Sequence, residues 1–576
     1  MRLDKLTIGS AKDSPTHRFK NLKDVTIDFD QDHWVTVVIG WNGTGKSNAL
    51  EALAILFRDL IAKERKPVFA FKLAYRMGAG ASLRHIHIDA DPDRANEPYK
   101  VHVATDDEAR GKNFLLPIPE GGPTVSALRG SEIRFSDLVG DGSPYLPRYV
   151  FSYYSGESSR MHEIFKPYLE KFDGKLRNGE DPGLKRLFYA MPVHSQFVLL
   201  AFLIHQPEFV RRFLDEHLGI DPEEGLESVL FVLRQPPWKS KAPDGDPRFW
   251  NARGVVSSFL ARLQEVALAP IELSRRVSTS IWNEKTLQFK YLYVKNVEAL
   301  RQLVGKQEPA MFFRDLESTY VSQLIDEVRI RVRLKKNDGS VTFRELSEGE
   351  QQLLTVLGLL RFTAEDESLF LLDEPDTHLN PRWSVDYIHY LKQFITGGTK
   401  REETSHILLT THNPLAIAEL DREQVQILRM HKTGDQRQIV SCFPEMAPRG
   451  MGYAAIVTSD MFGIASSLDG STQLLLEQQR ALSVAESLTS KEQKALDKVN
   501  SELNRLGFKF FHPDDEFSRY LRLRNEALHA MFGKVRPMEV ASKAVAMSRQ
   551  EREDLATQLI EQLVAEEKAE RGKQAQ

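Results

Sequence analysis

Cysteine is all but missing from this chain: Cys442 is its single thiol. One thiol excludes an internal disulfide and a cysteine-rich metal cluster, and it fits a reducing, cytoplasmic setting. Long apolar runs are missing too. No stretch approaches the roughly eighteen consecutive apolar residues that a spanning helix needs, so no membrane partner is expected. The opening residues, MRLDKLTIGS, carry no apolar signal core. Nor does one sign of charge prevail. Lys plus Arg number 77 against 81 Asp plus Glu, a net charge of −4, so any nucleic-acid surface must be local. What is present is the composition of an ordinary globular chain. Its 576 residues, 41% hydrophobic and 27% charged, suffice for about two to four domains and a large core.

Two distant segments carry chemistry. Val35 to Ile39 reads as a strand, and Gly40-Trp41-Asn42-Gly43-Thr44-Gly45-Lys46-Ser47 follows it with the full GxxxxGK[ST] spacing. In that pattern the backbone N–H groups of Asn42, Gly43, Thr44 and Gly45 turn inward around phosphates. Lys46 reaches the β- and γ-phosphates, and Ser47 ligates Mg²⁺. Asn48 to Arg58 contains good helix formers, which places the phosphates at a helix N-terminus. Far downstream, Leu369 to Leu372 is an apolar run short enough for a buried strand, and Asp373 and Glu374 end it. Carboxylates at the tip of a parallel strand lie where α/β sheets bind ligands. Asp373 is expected to hold Mg²⁺, directly or through water. Glu374 is expected to accept a proton from an attacking water.

Two shorter motifs flank this strand. In Leu346-Ser347-Glu348-Gly349-Glu350-Gln351-Gln352, Ser347 and Gly349 at a helix start make an anion site from a hydroxyl and free N–H groups. Ser-Glu-Gly is also an ordinary way to begin a helix. Ile407 to Thr411 is another buried strand, with His412 at its end. A lone histidine there is more often structural, yet its position favours contact with a γ-phosphate.

GWNGTGKS, LSEGEQQ, LLDEPDTHL and TTHNP resemble the Walker A, signature, Walker B with D-loop, and H-loop motifs of the ABC ATPase superfamily. Phe19-Lys20-Asn21-Leu22-Lys23 is similar to the turn that precedes the phosphate loop in the SMC, RecF and OLD-like group. The DEP…HLNP and THNP endings are similar to those of small ATPases from bacterial defence systems such as Septu, PARIS and retrons. This resemblance implies an α/β fold: an ABC-type ATPase head with an antiparallel β subdomain, built from both ends of the chain. It implies ATP and Mg²⁺ as ligands and hydrolysis to ADP and phosphate. It also implies a head-to-head homodimer with two ATPs between the copies. Ser347 and Gly349 would then cap the nucleotide held by the partner's Lys46, and Asp376 would sit at the seam. Three roles stay open: a defence regulator controlling a separate effector nuclease, a RecF-type clamp on DNA, and a toxin that cuts RNA.

The expected organisation is residues 1–156 as the first half of the head, 157–320 as a helical insertion, 321–445 as the second half, and 446–576 as a helical C-terminal region. Leu3, Leu6 and Ile8 suggest one strand and Val25, Ile27 and Phe29 another; both are expected in the nucleotide-binding sheet. LRHIHIDAD and YKVHVATDD alternate as strands of the β subdomain. Asp89 and Asp91 there read as an acidic turn rather than a metal pair. After the strand RYVFSYY no glutamine stands at Ser155-Gly156-Glu157 to sense the metal, and Gln196 is the next candidate. FVLLAFLIH, PEFVRRFLDEHL, LESVLFVLRQ and VVSSFLARLQEVAL all read as helices, without the sustained heptads of a coiled coil. Val328 to Lys335 alternates, placing Arg329, Arg331, Arg333 and Lys335 on one face. That face suits the phosphates of DNA or RNA, or else it is simply solvated. Ser490 with Gln493 resembles a capping box. Arg524-Asn525-Glu526-Ala527-Leu528-His529 resembles the R-N-x-x-x-H motif of HEPN ribonucleases, and it also reads as a structural pair on one helix.

Overall fold

A computed structural model of the chain describes residues 1–508 apart from 31, 110–129, 141, 157, 241, 281–282, 336–339, 364–366, 397–403, 434–435, 465 and 484–488. Beyond these it describes 523–524, 527, 531 and 554–565. The chain divides into two units, Met1–Ala465 and Ser466–Gln576. Among the described residues no helix is long and apolar enough to cross a membrane.

The first unit begins with β1 (Arg2–Ile8), β2 (Val25–Asp28) and β3 (Val35–Gly40). Next come β4 (Phe71–Met77), β5 (Arg84–Ala90), β6 (Tyr99–Thr105), β7 (Ser131–Ile133), β8 (Val150–Tyr154) and β9 (Leu187–Tyr189). A third group is β10 (Leu226–Arg234), β11 (Leu268–Ser280), β12 (Asn283–Val294), β13 (Ile325–Arg333) and β14 (Ser340–Thr342). The last strands are β15 (Leu369–Asp373), β16 (His406–Thr410), β17 (Val425–Thr433) and β18 (Gln436–Cys442).

The central sheet runs β18-β17-β3-β16-β15-β8-β9, parallel throughout except for β18. Its central strands are continuous apolar runs because both faces are covered. Leu369 and Leu371 of β15 enter one core and Phe370 and Leu372 the other. Val38 of β3 likewise opposes Val37 and Ile39.

One core lies between this sheet, the helix Lys46–Ile61 and the antiparallel sheet β2-β1-β4-β5-β6-β7. β4 shows the half-buried alternation expected there, with Phe71, Leu73, Tyr75 and Met77 inward. β1 and β2, expected in the nucleotide-binding sheet, belong to this antiparallel one. Asp89 and Asp91 are engaged as an acidic turn: Asp89 pairs with Arg94, and Asp91 with Lys12 and His17.

The other core is covered by helices, including Pro192–Ile204, Pro309–Val321 and Glu348–Thr363, and by the antiparallel sheet β11-β12-β10-β13-β14. This corrects the helical reading of the insertion. LESVLFVLRQ is strand β10, and β11 with β12 forms a long hairpin beside it. β10 pairs with β13, so the sheet straddles the expected boundary at 320. Helices stand where FVLLAFLIH and VVSSFLARLQEVAL were read.

In the second unit the helices Gly470–Ser483 and Ser490–Arg505 bury Leu476, Val499 and Leu503 together. The capping box of the latter helix uses Thr489 with Glu492, one residue before the expected pair. Of the ribonuclease-like motif, Arg524 is described as helical and His529 lies outside the described residues.

Candidate nucleotide site

The phosphate loop leaves β3 and enters the helix Lys46–Ile61. Gly45 caps this helix at φ 93°, a conformation that L side chains rarely adopt. A Cβ there would also lie 2.7 Å from Leu22 of the Phe19–Lys23 turn. That turn is tied to the loop: the Asn21 amide donates to the Gly43 carbonyl at 2.8 Å and accepts from Asn48 at 2.6 Å. The Lys46 ammonium, buried among these groups, donates to the Gly40 carbonyl at 2.9 Å. Burial lowers its pKa, and the charges of Glu374 and Asp373 oppose that.

β15 lies two strands from β3, with β16 between them. Asp373 lies beside Thr410 and Thr410 beside Val38, two residues before β3 ends and the phosphate loop begins. The Ser47 hydroxyl therefore reaches Asp373 Oδ1 at 3.1 Å, and Thr410 Oγ1 donates to the same oxygen at 2.5 Å. Burial holds the Asp373 carboxyl above its ordinary pKa, and these two bonds oppose it. Hydroxyl and carboxylate oxygens converging beside an ammonium suit a hard divalent cation such as Mg²⁺.

Glu374 has φ 51°, unusual for a side chain of its size and typical of strain kept at a working site. Its N–H is held by the carbonyl and hydroxyl of Thr410, both at 3.1 Å. His412 Nε2 lies 3.2 Å from its carboxylate. That hydrogen bond holds the Glu374 pKa below the ordinary range, so the group is an anion at neutral pH.

Asp376, expected at the seam of a pair, is 3% exposed within the single chain, and its carboxylate accepts from Thr411 Oγ1 at 2.7 Å. Burial pushes its pKa up to about 6.

Ser347 is exposed at the start of the helix Glu348–Thr363, in a capping box with Glu350. Gly349 packs against the turn after β15, where a Cβ would lie 2.4 Å from the His378 carbonyl. Gln352 accepts from the His378 N–H at 3.2 Å. At the end of β8, Ser155 stands where a metal-sensing glutamine would be. Its N–H donates to the Asp373 carbonyl at 3.2 Å, and its hydroxyl is 3.2 Å from that of Thr377. Gln196 lies on the helix Pro192–Ile204.

Sequence reasoning passed over Thr410, Thr411 and Arg160. The two threonines stand in the TTHNP motif, but their partners, Asp373 and Asp376, lie at the end of a neighbouring strand and in the turn after it. Arg160 ion-pairs with Glu51 at 3.1 Å and lies over the Tyr154 ring at 5.5 Å. No local pattern marks it.

The strand order is that of an α/β fold with a parallel central sheet between two antiparallel ones, and the phosphate loop and the acidic strand end meet at the tips of its parallel strands. Two family models fit the chain: "AAA ATPase domain" at residues 18–104 and "AAA domain, putative AbiEii toxin, Type IV TA system" at residues 236–418. Among curated proteins, the Septu protein PtuA of Bacillus mycoides (strain KBAB4) is 22% identical over 169 residues. That match spans 28% of this chain and 22% of PtuA. Among solved structures, the SMC head domain from Thermotoga maritima aligns at TM-score 0.29 and 10% identity, over 77% of this chain and 99% of that one. The Smc head domain from Pyrococcus furiosus, with an extended coiled coil and bound to the C-terminal domain of ScpA, gives 0.30 and 11%, over 77% and 96%.

Proposed function

We propose that this chain binds ATP with Mg²⁺ on its phosphate loop and hydrolyses it to ADP and phosphate. One observation carries the reading: Ser47 and Asp373, 326 residues apart, meet at 3.1 Å with Glu374 and His412 beside them. Lys46 would exchange its loop carbonyls for the β- and γ-phosphates. Ser47 and Asp373 would hold Mg²⁺, which offsets phosphate charge when bound. Glu374 would take a proton from the attacking water, with His412 fixing its orientation. Lys46→Ala should abolish ATP binding in calorimetry. Glu374→Gln, nearly isosteric, should keep ATP binding and slow phosphate release by roughly 10²- to 10⁴-fold. Hydrolysis by Glu374→Gln at the wild-type rate would show that another residue is the base.

The same reading makes the working unit a head-to-head pair of copies. The exposed Ser347 at a helix N-terminus supports it, since such a terminus suits a second copy's γ-phosphate. The biological role we propose is regulation of a separate effector nuclease in bacterial defence. The local similarity to the Septu protein PtuA and the DEP…HLNP and THNP motifs support this. Co-purification with the products of neighbouring genes tests it. A co-eluting nuclease supports the role, whereas recovery alone with tight ATP-dependent DNA binding favours a RecF-type clamp.

A further inference from the structure

The face of the β11-β12-β10-β13-β14 sheet turned away from the core has a composition unlike a merely solvated surface. Register fixes which side chains share it. Tyr293 of β12 opposes Leu230 of β10, which opposes Arg329 of β13. Tyr291 opposes Ile271 of β11, and Ser228 opposes Arg331. Directly paired residues lie on the same face, as do residues two apart. Tyr291, Tyr293, Arg329 and Arg331 thus share one face with Arg275 of β11. The opposite face carries Val229, Phe231, Leu292, Val328 and Ile330, all in the core. The first face is open around Tyr293, 38% exposed as a residue, and around Arg329 and Arg331, whose side chains are 54% and 55% exposed; Tyr291 is half-buried, and Val232 and Phe289 on the same face are buried. Arg275 donates to the Tyr291 hydroxyl at 2.9 Å, bracing that ring at the sheet edge.

We propose that this face binds single-stranded nucleic acid, with Tyr291 and Tyr293 as stacking platforms and Arg329 and Arg331 on the phosphates. Residues two apart on a strand are separated by about 6.6–6.8 Å. Bases stacked in a duplex repeat every 3.4 Å along each strand, and their faces are already taken. Only an extended single strand can lay one base on each ring. β13 lies two strands from β12, about 9.5 Å away, so its guanidiniums flank the rings at the distance of a nucleotide backbone. Arg329 contacts Glu327 at 2.8 Å and Arg331 contacts Glu227 at 3.2 Å. A guanidinium has five N–H donors, so the Glu327 contact orients Arg329 and leaves donors for a phosphate. Nothing here depends on the nucleotide site.

Fluorescence anisotropy with the full chain, without nucleotide, tests the proposal. The probes are labelled oligothymidylate and oligouridylate of about 20 nucleotides, beside a duplex of equal length. Either single strand should bind more tightly than the duplex. The pair Tyr291→Ala and Tyr293→Ala should weaken that binding by about 5- to 150-fold per ring and leave the salt dependence unchanged. Tyr291→Phe with Tyr293→Phe should retain it. Arg329→Ala and Arg331→Ala should each flatten the slope of log affinity against log salt by about 0.7. Melting temperatures and ATP hydrolysis should match wild type in every variant. Absence of binding, equal or tighter duplex binding, or full affinity in the double alanine variant overturns the proposal.

Discussion

Asp376 stands two residues beyond the acidic pair, and its charge works against the fold that buries it. Its carboxyl moves from an ordinary 3.8 to about 6 in the folded chain. The folded state therefore holds the proton more tightly than the unfolded one. This contribution to stability is complete below about 4 and is lost as pH rises through about 6. Asp376→Asn, which keeps an acceptor for Thr411, should thus raise stability at pH 8 by about 1–3 kcal/mol, with the gain vanishing near pH 4. Urea midpoints at both pH values measure this, and a gap independent of pH would refute the assignment. Thr410→Val removes the hydroxyl shared by Asp373 and the Glu374 N–H. It should lower Mg²⁺-dependent ATP affinity about tenfold, near the cost of one charged hydrogen bond, as titration calorimetry can show. The loop glycines, Lys46 and the acidic pair are legible in sequence because a phosphate cradle is a local pattern. Thr410 and Arg160 are not, because their roles depend on contacts across the sheet or between distant segments.

β10 shows why some elements escape a reading by pattern. Its inward residues enter the core, while Ser228 and Val232 on its other face are buried as well. Alternation disappears, and a short apolar run does not separate strand from helix. β13 keeps its alternation because Arg329, Arg331 and Arg333 remain exposed. Lys335, expected on the same stripe, lies past the strand and pairs with Asp215. The helices Pro192–Ile204 and Pro309–Val321 are locked by a buried cluster unsuspected from sequence. Lys185 and His194 both bond Glu317. Burial pushes that carboxyl up, yet His194 and Lys185 together bring it down to about 2. Lys185→Met strands the buried carboxylate and should cost about 3–5 kcal/mol in chemical denaturation, whereas Lys185→Met with Glu317→Leu should recover most of it. A loss below ~1 kcal/mol in the single variant would show the cluster to be solvated.

At the scale of the molecule, a nucleotide site shared between copies can be tested by mixing. Lys46→Ala disables a copy's own phosphate loop. Ser347→Arg disables what that copy offers its neighbour. Each variant alone should be inactive. In a mixed pair, the Ser347→Arg copy's phosphate loop meets the intact Ser347 of the other copy, so one site is whole. Random pairing of independent sites should restore about a quarter of the wild-type rate in an equimolar mixture. No recovery, with mixed pairs confirmed by differential tagging, would show that each site is complete within one chain.

The contact between Gly349 and the His378 carbonyl bears on whether those sites are independent. In the proposed pair, Ser347 would serve the neighbour's nucleotide, while the turn ending at His378 follows the chain's own Glu374. With no room for even a methyl group between them, a shift of one would press on the other. Occupancy on one side of the proposed assembly would then be felt by the base on the other. ATP turnover should rise with a Hill coefficient above 1, and the mixed pair, with a single working site, should fall short of that quarter. Gly349→Ala pries the two segments apart. It should leave ATP binding to the chain's own phosphate loop intact and return the Hill coefficient to 1, a kinetic signature that a defect in folding alone does not produce.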